Sequence, residues 1–343
     1  MSDQLSNPSW SRDAAIEAFD GEGPHAEIIK VLRSLGNRDQ YLNVGYSRTG
    51  QSHWGGKAQV RLVDRLAKPL RKLSDLDPKL DSNLKSDQNQ DLDSDFDPGF
   101  SSDFDSDFGS DVSSDFGSDL LDVGCGRGGP AIRLHQKWGM NVTGIDLSDR
   151  NIKVARRRTR DLAIHEGLTF KRGDAAHLPF SSESFSFAWA VESMAYVPDK
   201  RRAIMEVKRI LRPGGVFAMA ALLVDEETVT ASEQNLCTYL DFLKAWDFYR
   251  LAGPDSYRAL LTDAGFTVER VEIVTARTLR QHSKRLSRLL RVWNSNILYR
   301  LSRRYVYRKT GADLDPIRNQ LTASLRAIEA GLLDYGFFWA KIS

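Results

Sequence analysis

Leu120-Leu121-Asp122-Val123-Gly124-Cys125-Gly126-Arg127-Gly128-Gly129-Pro130 reads as an apolar strand, a glycine-rich turn and the first residues of a helix. Proline suits the first helical position, because the N–H that it lacks has no partner inside the helix. Glycines in such a turn let backbone amides approach a ligand with no Cβ in the way. In α/β sheets ligands sit at the carboxyl ends of the strands, near the point where strand order reverses. Gly124, Gly126 and Gly129 satisfy the dinucleotide pattern GxGxxG, and Asp146 follows Gly126 by twenty residues, where a ribose-binding carboxylate belongs. Asp122, Asp146 and Asp174 all fall at predicted strand ends, and three carboxylates around one turn suit a cationic ligand better than a pyrophosphate dianion. Asp174, in Arg172-Gly173-Asp174-Ala175, is placed to accept the exocyclic amine of an adenine.

Outward from that turn, strands and helices alternate. Strands are predicted over Leu120–Val123, Asn141–Ile145, Leu168–Arg172, Phe185–Val191, Val216–Val224 and Phe266–Thr275. Helices are predicted over Pro130–Trp138, Asp149–Ala163 with Ser148 as N-cap, Lys200–Leu211, Ser232–Tyr249 and Asp255–Ala264. Pro213-Gly214-Gly215 stops the third of these helices, and Gly265 the last. This alternation predicts an α/β doubly wound sheet.

The 343 residues carry a net charge of +2, but the charge is segregated along the chain. Ser74 to Asp119 holds fourteen Asp, two Lys and no Glu or Arg, a local balance of −12, with Phe set singly among Asp and Ser. That composition predicts a disordered insert, which as a flexible coil would span about 35–40 Å. Val274 to Ala312 holds eleven Lys or Arg and no acid, and Leu286, Leu289, Leu290, Trp293, Ile297, Leu298 and Leu301 recur there at three- and four-residue steps. An amphipathic helix or helix pair follows. Its basic face either lies in water, meets an anionic membrane or, less favoured, meets nucleic acid, for which no RNP-like or zinc module is present.

The organisation expected is an N-terminal helical segment over 1–73 that covers the site, the insert over 74–119, and a core over 120–343 with a lid at 226–250 and the basic helical segment at 276–332. Two cysteines and six scattered histidines offer neither a disulfide framework nor zinc spacing, so no metal is expected. The first residues lack a basic-then-apolar leader, and the longest apolar run, Val216 to Val224, falls far below the ~20 residues of a membrane span. A soluble cytoplasmic protein, at most peripheral to a membrane, is the expectation.

LLDVGCGRGGPAIRL, VTGIDLS, FKRGDAAHLPFSSESFSFAWAVESMAYVPDK and ILRPGGVFAMAALL, in this order and spacing, resemble the class I S-adenosylmethionine-dependent methyltransferases. The nearer likeness is to the branch acting on small molecules and isoprenoid lipids, such as tocopherol, sterol, ubiquinone/menaquinone and macrolide methyltransferases. It covers Leu120 to Thr275, with looser likeness in YLNVGY and AGLLDYGFFWAK. The resemblance implies a Rossmann-like, mostly parallel sheet of seven strands with a helical lid, and S-adenosylmethionine as cofactor.

Carried over to this sequence, it implies that Gly124, Gly126 and Gly128 pass beneath the methionine part of the cofactor. Asp146 would accept the ribose hydroxyls, Leu147 would flank the adenine, and Asp174 with Ala175 would hold its edge. Val191 and Glu192 would line the reaction side, and Tyr46 would close over the cofactor. Asp122 serves either the cofactor or neighbouring backbone amides. Where many relatives carry His this chain has Tyr196, whose phenol at an ordinary pKa near 10 is a poor base at pH 7. Proton removal, where an acceptor requires it, falls to Glu192, His53 or solvent.

Acceptor specificity is expected from Tyr41–Trp54, Ser232–Tyr249 and Leu279–Gly331. The aromatic side of the second region either packs into the core or lines a pocket for a bulky apolar acceptor such as a quinol, phenolic, isoprenoid, sterol or polyketide-like molecule. The competing functions are a nucleic-acid or protein methyltransferase, a scaffold that binds the cofactor without catalysis, and an NAD-dependent oxidoreductase.

Overall fold

The computed structural model describes residues 5–13, 16, 24–34, 46, 57–70 and 119–342. His53 and residues 71–118, which include all of the acidic insert but Asp119, lie outside them.

Seven strands form one sheet: β1 (Asp119–Val123), β2 (Asn141–Asp146), β3 (Leu168–Arg172), β4 (Phe185–Val191), β5 (Leu211–Val224), β6 (Phe266–Ile273) and β7 (Leu333–Ile342). Their order is β3-β2-β1-β4-β5-β7-β6, with β7 antiparallel to both neighbours. The sequence of strand reversal puts β1 and β4 side by side at the centre, Leu121 opposite both Thr143 and Ala188. Buried on both faces, these strands are near-continuous apolar runs, as the FAWA stretch of β4 illustrates.

Helices cover both faces: α1 (Pro24–Ser34), α2 (Lys57–Ala67), α3 (Gly129–Trp138), α4 (Asp149–Asp161), α5 (Lys200–Ile210), α6 (Glu226–Thr230), α7 (Glu233–Ala245), α8 (Pro254–Asp263), α9 (Leu279–Trp293), α10 (Asn296–Thr310) and α11 (Leu314–Glu329). On one face Leu62 and Leu66 of α2, Leu134 of α3 and Tyr239 of α7 pack with Trp189 and Trp339 of the sheet. On the other, Ile204 and Val207 of α5 and Tyr257 of α8 pack with Val123, Phe217 and Phe338. Trp339 also donates its indole N–H to Leu66 O at 3.0 Å, which pins α2 to the sheet.

The N-cap expected at Ser148 is present, and a second is found at Asp199. The Ser148 hydroxyl accepts from Asn151 N at 2.9 Å, and Asp199 caps α5 through Arg202 N at 2.8 Å. Two boundaries differ by more than two residues. β5 begins at Leu211, which pairs with Phe185 ahead of a register shift, so Pro213-Gly214-Gly215 forms an irregular stretch inside the strand pairing. The helix read through Tyr249 ends at Ala245, because Asp247 adopts φ +52° and Phe248 N turns back to Leu243 O. The basic segment is a helix pair broken at Asn294-Ser295. Since β1 starts at Asp119, the acidic insert joins the sheet at the end of β1 opposite the glycine turn. Among the described residues no helix is long and apolar enough to cross a membrane.

Candidate functional site

Gly124 and Cys125 both donate their amides to Ile145 O, at 2.9 and 2.8 Å, so the turn leaves β1 already tied to the end of β2. Gly124 has φ +75°, and a Cβ there would lie 2.3 Å from Cβ of Ser193, the residue two past the end of β4. Ser193 in turn donates its hydroxyl to Val123 O at 2.6 Å. The missing side chain at Gly124 therefore lets the loop after β4 rest on the loop after β1. Gly126, at φ +51°, is different: a Cβ there meets nothing within 4 Å.

Asp146, half-buried at the end of β2, accepts from Gly126 N and Ser148 N, both at 2.9 Å, and from Asn151 Nδ2 at 3.3 Å. One carboxylate thus holds the glycine turn and the entry to α4 together, with Leu147 half-buried beside it. Asp174 accepts from Ala176 N at 2.9 Å and pairs with Arg12 at 3.0 Å. Asp122 is buried beneath the turn, and its Oδ2 has no hydrogen-bond partner among the described residues. Burial pushes its carboxyl up to about 7; the Trp189 indole opposes this and the Asp146 charge adds to it. Cys125 is buried between these acids, and burial first, then Asp122 and Asp146, pushes its thiol well above the ordinary range. It is an inert wall, not a nucleophile.

Past β4, Val191 is half-buried and Glu192 stands at φ +55°, an uncommon conformation for a residue with a side chain. Glu192 Oε1 accepts from the fully buried Tyr335 hydroxyl at 2.7 Å. Rings then continue from Tyr335 to Phe337 and to Tyr46, at centroid separations of 6.0 and 6.2 Å. Tyr46 is buried, and its phenol oxygen accepts from Arg277 at 2.6 Å. Tyr196 packs edge-on against Phe248 at 4.9 Å, and Phe248 stacks with Trp246 at 6.1 Å. Burial first, then the charges of Asp247, Glu192 and Asp146, holds the Tyr196 phenol well above its ordinary value.

The structure thus brings Gly124, Gly126, Gly128, Asp122, Asp146 and Glu192 to the carboxyl ends of β1, β2 and β4, with Asp174 and Ala175 past β3. Of the aromatic side of the lid, Tyr239 and Phe242 are core residues, and Phe248 faces Tyr196. Four further contributors emerge from the fold. Tyr335 sits in a strand whose pairing partner is set only in three dimensions. Asp247, half-buried at positive φ, adds a carboxylate near Tyr196; an Asp in a turn was the available signal. Lys200, buried at the start of α5, donates to Val197 O at 2.8 Å and Arg250 O at 2.7 Å, and burial with the Arg250 charge lowers its ammonium to about 7. It straps the loop after β4 to the loop after α7. Residues 7–12 run from the segment after α7 to the end of β3: Asn7 Nδ2 donates to Phe248 O at 3.2 Å, and Arg12 pairs with Asp174.

Residues 121–219 match the family model described as a methyltransferase domain. The chain is 36% identical over 162 residues to methyltransferase GfsG of Streptomyces halstedii, covering 46% of this chain and 56% of that protein. It is 32% identical over 168 residues to the 27-O-demethylrifamycin SV methyltransferase of Amycolatopsis mediterranei, covering 46% and 57%. The matched region therefore spans little more than half the length of these curated relatives. Among solved structures, the [4+2]-cyclase SpnF superposes with a TM-score of 0.62 at 21% identity, over 93% of both chains. A geranyl diphosphate methyltransferase solved with its cofactor superposes with a TM-score of 0.58 at 17% identity, over 88% of this chain and 99% of that one. The chain shares its fold with these solved structures, and residues 121–219 match the methyltransferase domain.

Proposed function

We propose that the chain transfers a methyl group from S-adenosylmethionine to a small lipophilic acceptor. The observation that carries this reading is the cradle at Gly126: open space above a backbone bend, flanked by the Asp146 carboxylate and floored by the buried Asp122. A cationic nucleoside fits this donor and acceptor set. Gly124, Gly126 and Gly128 would carry the methionine part, with Asp122 answering its positive charge. Asp146 would hold the ribose and Leu147, Asp174 and Ala175 the adenine, while Tyr46 and Val191 bound the cofactor from the other side. When bound, the cofactor supplies a sulfonium-activated methyl group.

What the chain's own residues must do is align an acceptor, and such positioning is worth roughly 7–11 kcal/mol of barrier. Tyr196, Phe248 and Trp246 offer the acceptor an apolar wall that excludes water. Tyr196 stays protonated, so a hydroxyl acceptor would lose its proton to Glu192, which Tyr335 holds in place. An acceptor that needs no deprotonation would use the same wall without that step. A relative named a 27-O-demethylrifamycin SV methyltransferase supports a small-molecule acceptor. We place the protein in the cytoplasm, in peripheral contact with a membrane where such acceptors partition.

A labelled-methyl assay over quinols, phenolic lipids, sterols, glycosylated macrolides and amines tests this reading. Label appearing in one class, and lost in Asp146→Ala, is the expected result. S-adenosylmethionine binding with no label transferred to any class, or acceptor converted without label, would move the chain to the non-methylating users of this fold.

A further inference from the structure

α10 turns one side inward and the other to solvent. Tyr299 and Val306 pack with Ile317 and Leu321 of α11 and with Ile28 of α1. The opposite side carries Ile297, Leu301 and Tyr305, one helical turn apart and 73%, 60% and 62% exposed. Leu298 beside them and Val292 near the end of α9 are exposed as well. Arg300, Arg304 and Arg308 share the outward side of α10, and Arg280, Lys284, Arg288 and Arg291 are exposed on α9. No Asp or Glu occurs between residues 279 and 310. Single exposed apolar residues are ordinary on a surface, but a continuous line of them edged by cations marks an interaction site.

We propose that the outward face of α9–α10 is the surface by which the protein docks on an anionic lipid bilayer. Ile297, Leu301 and Tyr305 enter the boundary between headgroups and acyl chains, and the arginines and lysine reach lipid phosphates and carboxylates. Charge decides among occupants. A second copy would set two all-cationic faces against each other, and a nucleic-acid backbone would satisfy the cations but leave the apolar line in contact with phosphates. A bilayer of anionic lipid answers both features at once. The surface deepens the proposed reading of a lipophilic acceptor, and rests on that reading for its purpose, not for its existence.

The test is co-sedimentation of the full chain with vesicles of equimolar phosphatidylcholine and phosphatidylserine, and with phosphatidylcholine alone, at low and physiological salt. Partitioning at least tenfold stronger onto the anionic vesicles and weakened by salt is expected. Ile297→Asp with Leu301→Asp, and separately Arg304→Gln with Arg308→Gln, should each reduce it tenfold or more without lowering the melting temperature. Three results would overturn the proposal: no sedimentation with anionic vesicles at low salt, binding untouched by both pairs of substitutions, or capture of a nucleic-acid duplex or self-association in its place. S-adenosylmethionine titration of the same samples separates the two readings. A chain that binds vesicles but not the cofactor sinks the methyltransferase reading alone, and one that binds the cofactor but no vesicle sinks only the docking surface.

Discussion

The hydroxyl of Tyr335 donates to Glu192 Oε1 at 2.7 Å, joining the antiparallel strand β7 to the residue just past β4. Burial above all, then the Glu192 charge and the bond itself, raises that phenol well above its ordinary value, so it is a donor at neutral pH. The pair also explains why a residue with a side chain tolerates φ +55°: its carboxylate is anchored from outside its own loop. If Glu192 takes a proton from a hydroxyl acceptor, Glu192→Gln should lower kcat by about 10²-fold while leaving cofactor affinity nearly unchanged. Tyr335→Phe should lower kcat less, by about tenfold, because the carboxylate stays but loses its anchor. Turnover and calorimetric titration on the two variants check this, and a wild-type kcat in Glu192→Gln removes Glu192 from the chemistry.

The glycine turn makes a prediction by contrast between neighbours. Gly124→Ala drives a Cβ onto Ser193 and strains the backbone, so it should cost stability, of the order of 2–4 kcal/mol. Gly126→Ala meets open space, so its folding penalty should be only the ~1–2 kcal/mol of a left-handed residue. Its cofactor affinity should nevertheless fall tenfold or more. Urea melts beside cofactor titrations of the two variants discriminate; equal cofactor affinity in Gly126→Ala and the parent would mean that the cradle at Gly126 is not where the ligand lies.

Arg12 and Asp174 form an ion pair at 3.0 Å in which Arg12 is largely exposed, so its contribution to stability should stay below ~1 kcal/mol. The pair nonetheless engages the carboxylate expected to hold the adenine edge. Arg12→Ala should therefore leave the melting temperature nearly unchanged and speed cofactor association severalfold, whereas Asp174→Ala should weaken cofactor binding about tenfold. Stopped-flow association rates provide the measurement, and a slower rate in Arg12→Ala would show that the arginine helps hold the cofactor.

Much of this architecture was legible in the sequence because its parts are local. An apolar run before Gly124 and Pro130 after it, Ser148 before a helix, and Asp146 at a strand end each carry their structural meaning within a few residues. The positions that escaped are those whose meaning is set across the fold. Tyr335 reads only as part of a buried strand until the antiparallel insertion of β7 beside β5 brings it to Glu192. Lys200 reads as an exposed first-turn residue until two loops close over it. The lid helix stops four residues before its aromatic run ends at Tyr249, because the break comes from the backbone of Asp247 and the return of Phe248 to Leu243. Of the two readings open for that run, core packing holds for Tyr239 and Phe242.

Asp122 gives the pH dependence with the clearest sign. Its carboxyl is raised from an ordinary 3.8 to about 7, chiefly by burial. Between these values the native chain keeps a proton that the unfolded chain has released, so stability falls as pH rises through that window. Below it both states are protonated and the group contributes nothing; above it both are ionised and the full cost is present, at most about 4 kcal/mol at 1.36 kcal/mol per unit. Asp122→Asn, neutral throughout, should therefore be more stable than the parent at pH 8 and no more stable near pH 4. A cationic ligand above the turn favours the ionised form, so cofactor affinity of the parent should drop as pH falls below 7, and that drop should vanish in Asp122→Asn. Urea melts and cofactor titrations across pH 5 to 8 measure both effects. A stability difference between the two proteins that does not change with pH would show that Asp122 is ionised in the native chain across the whole range.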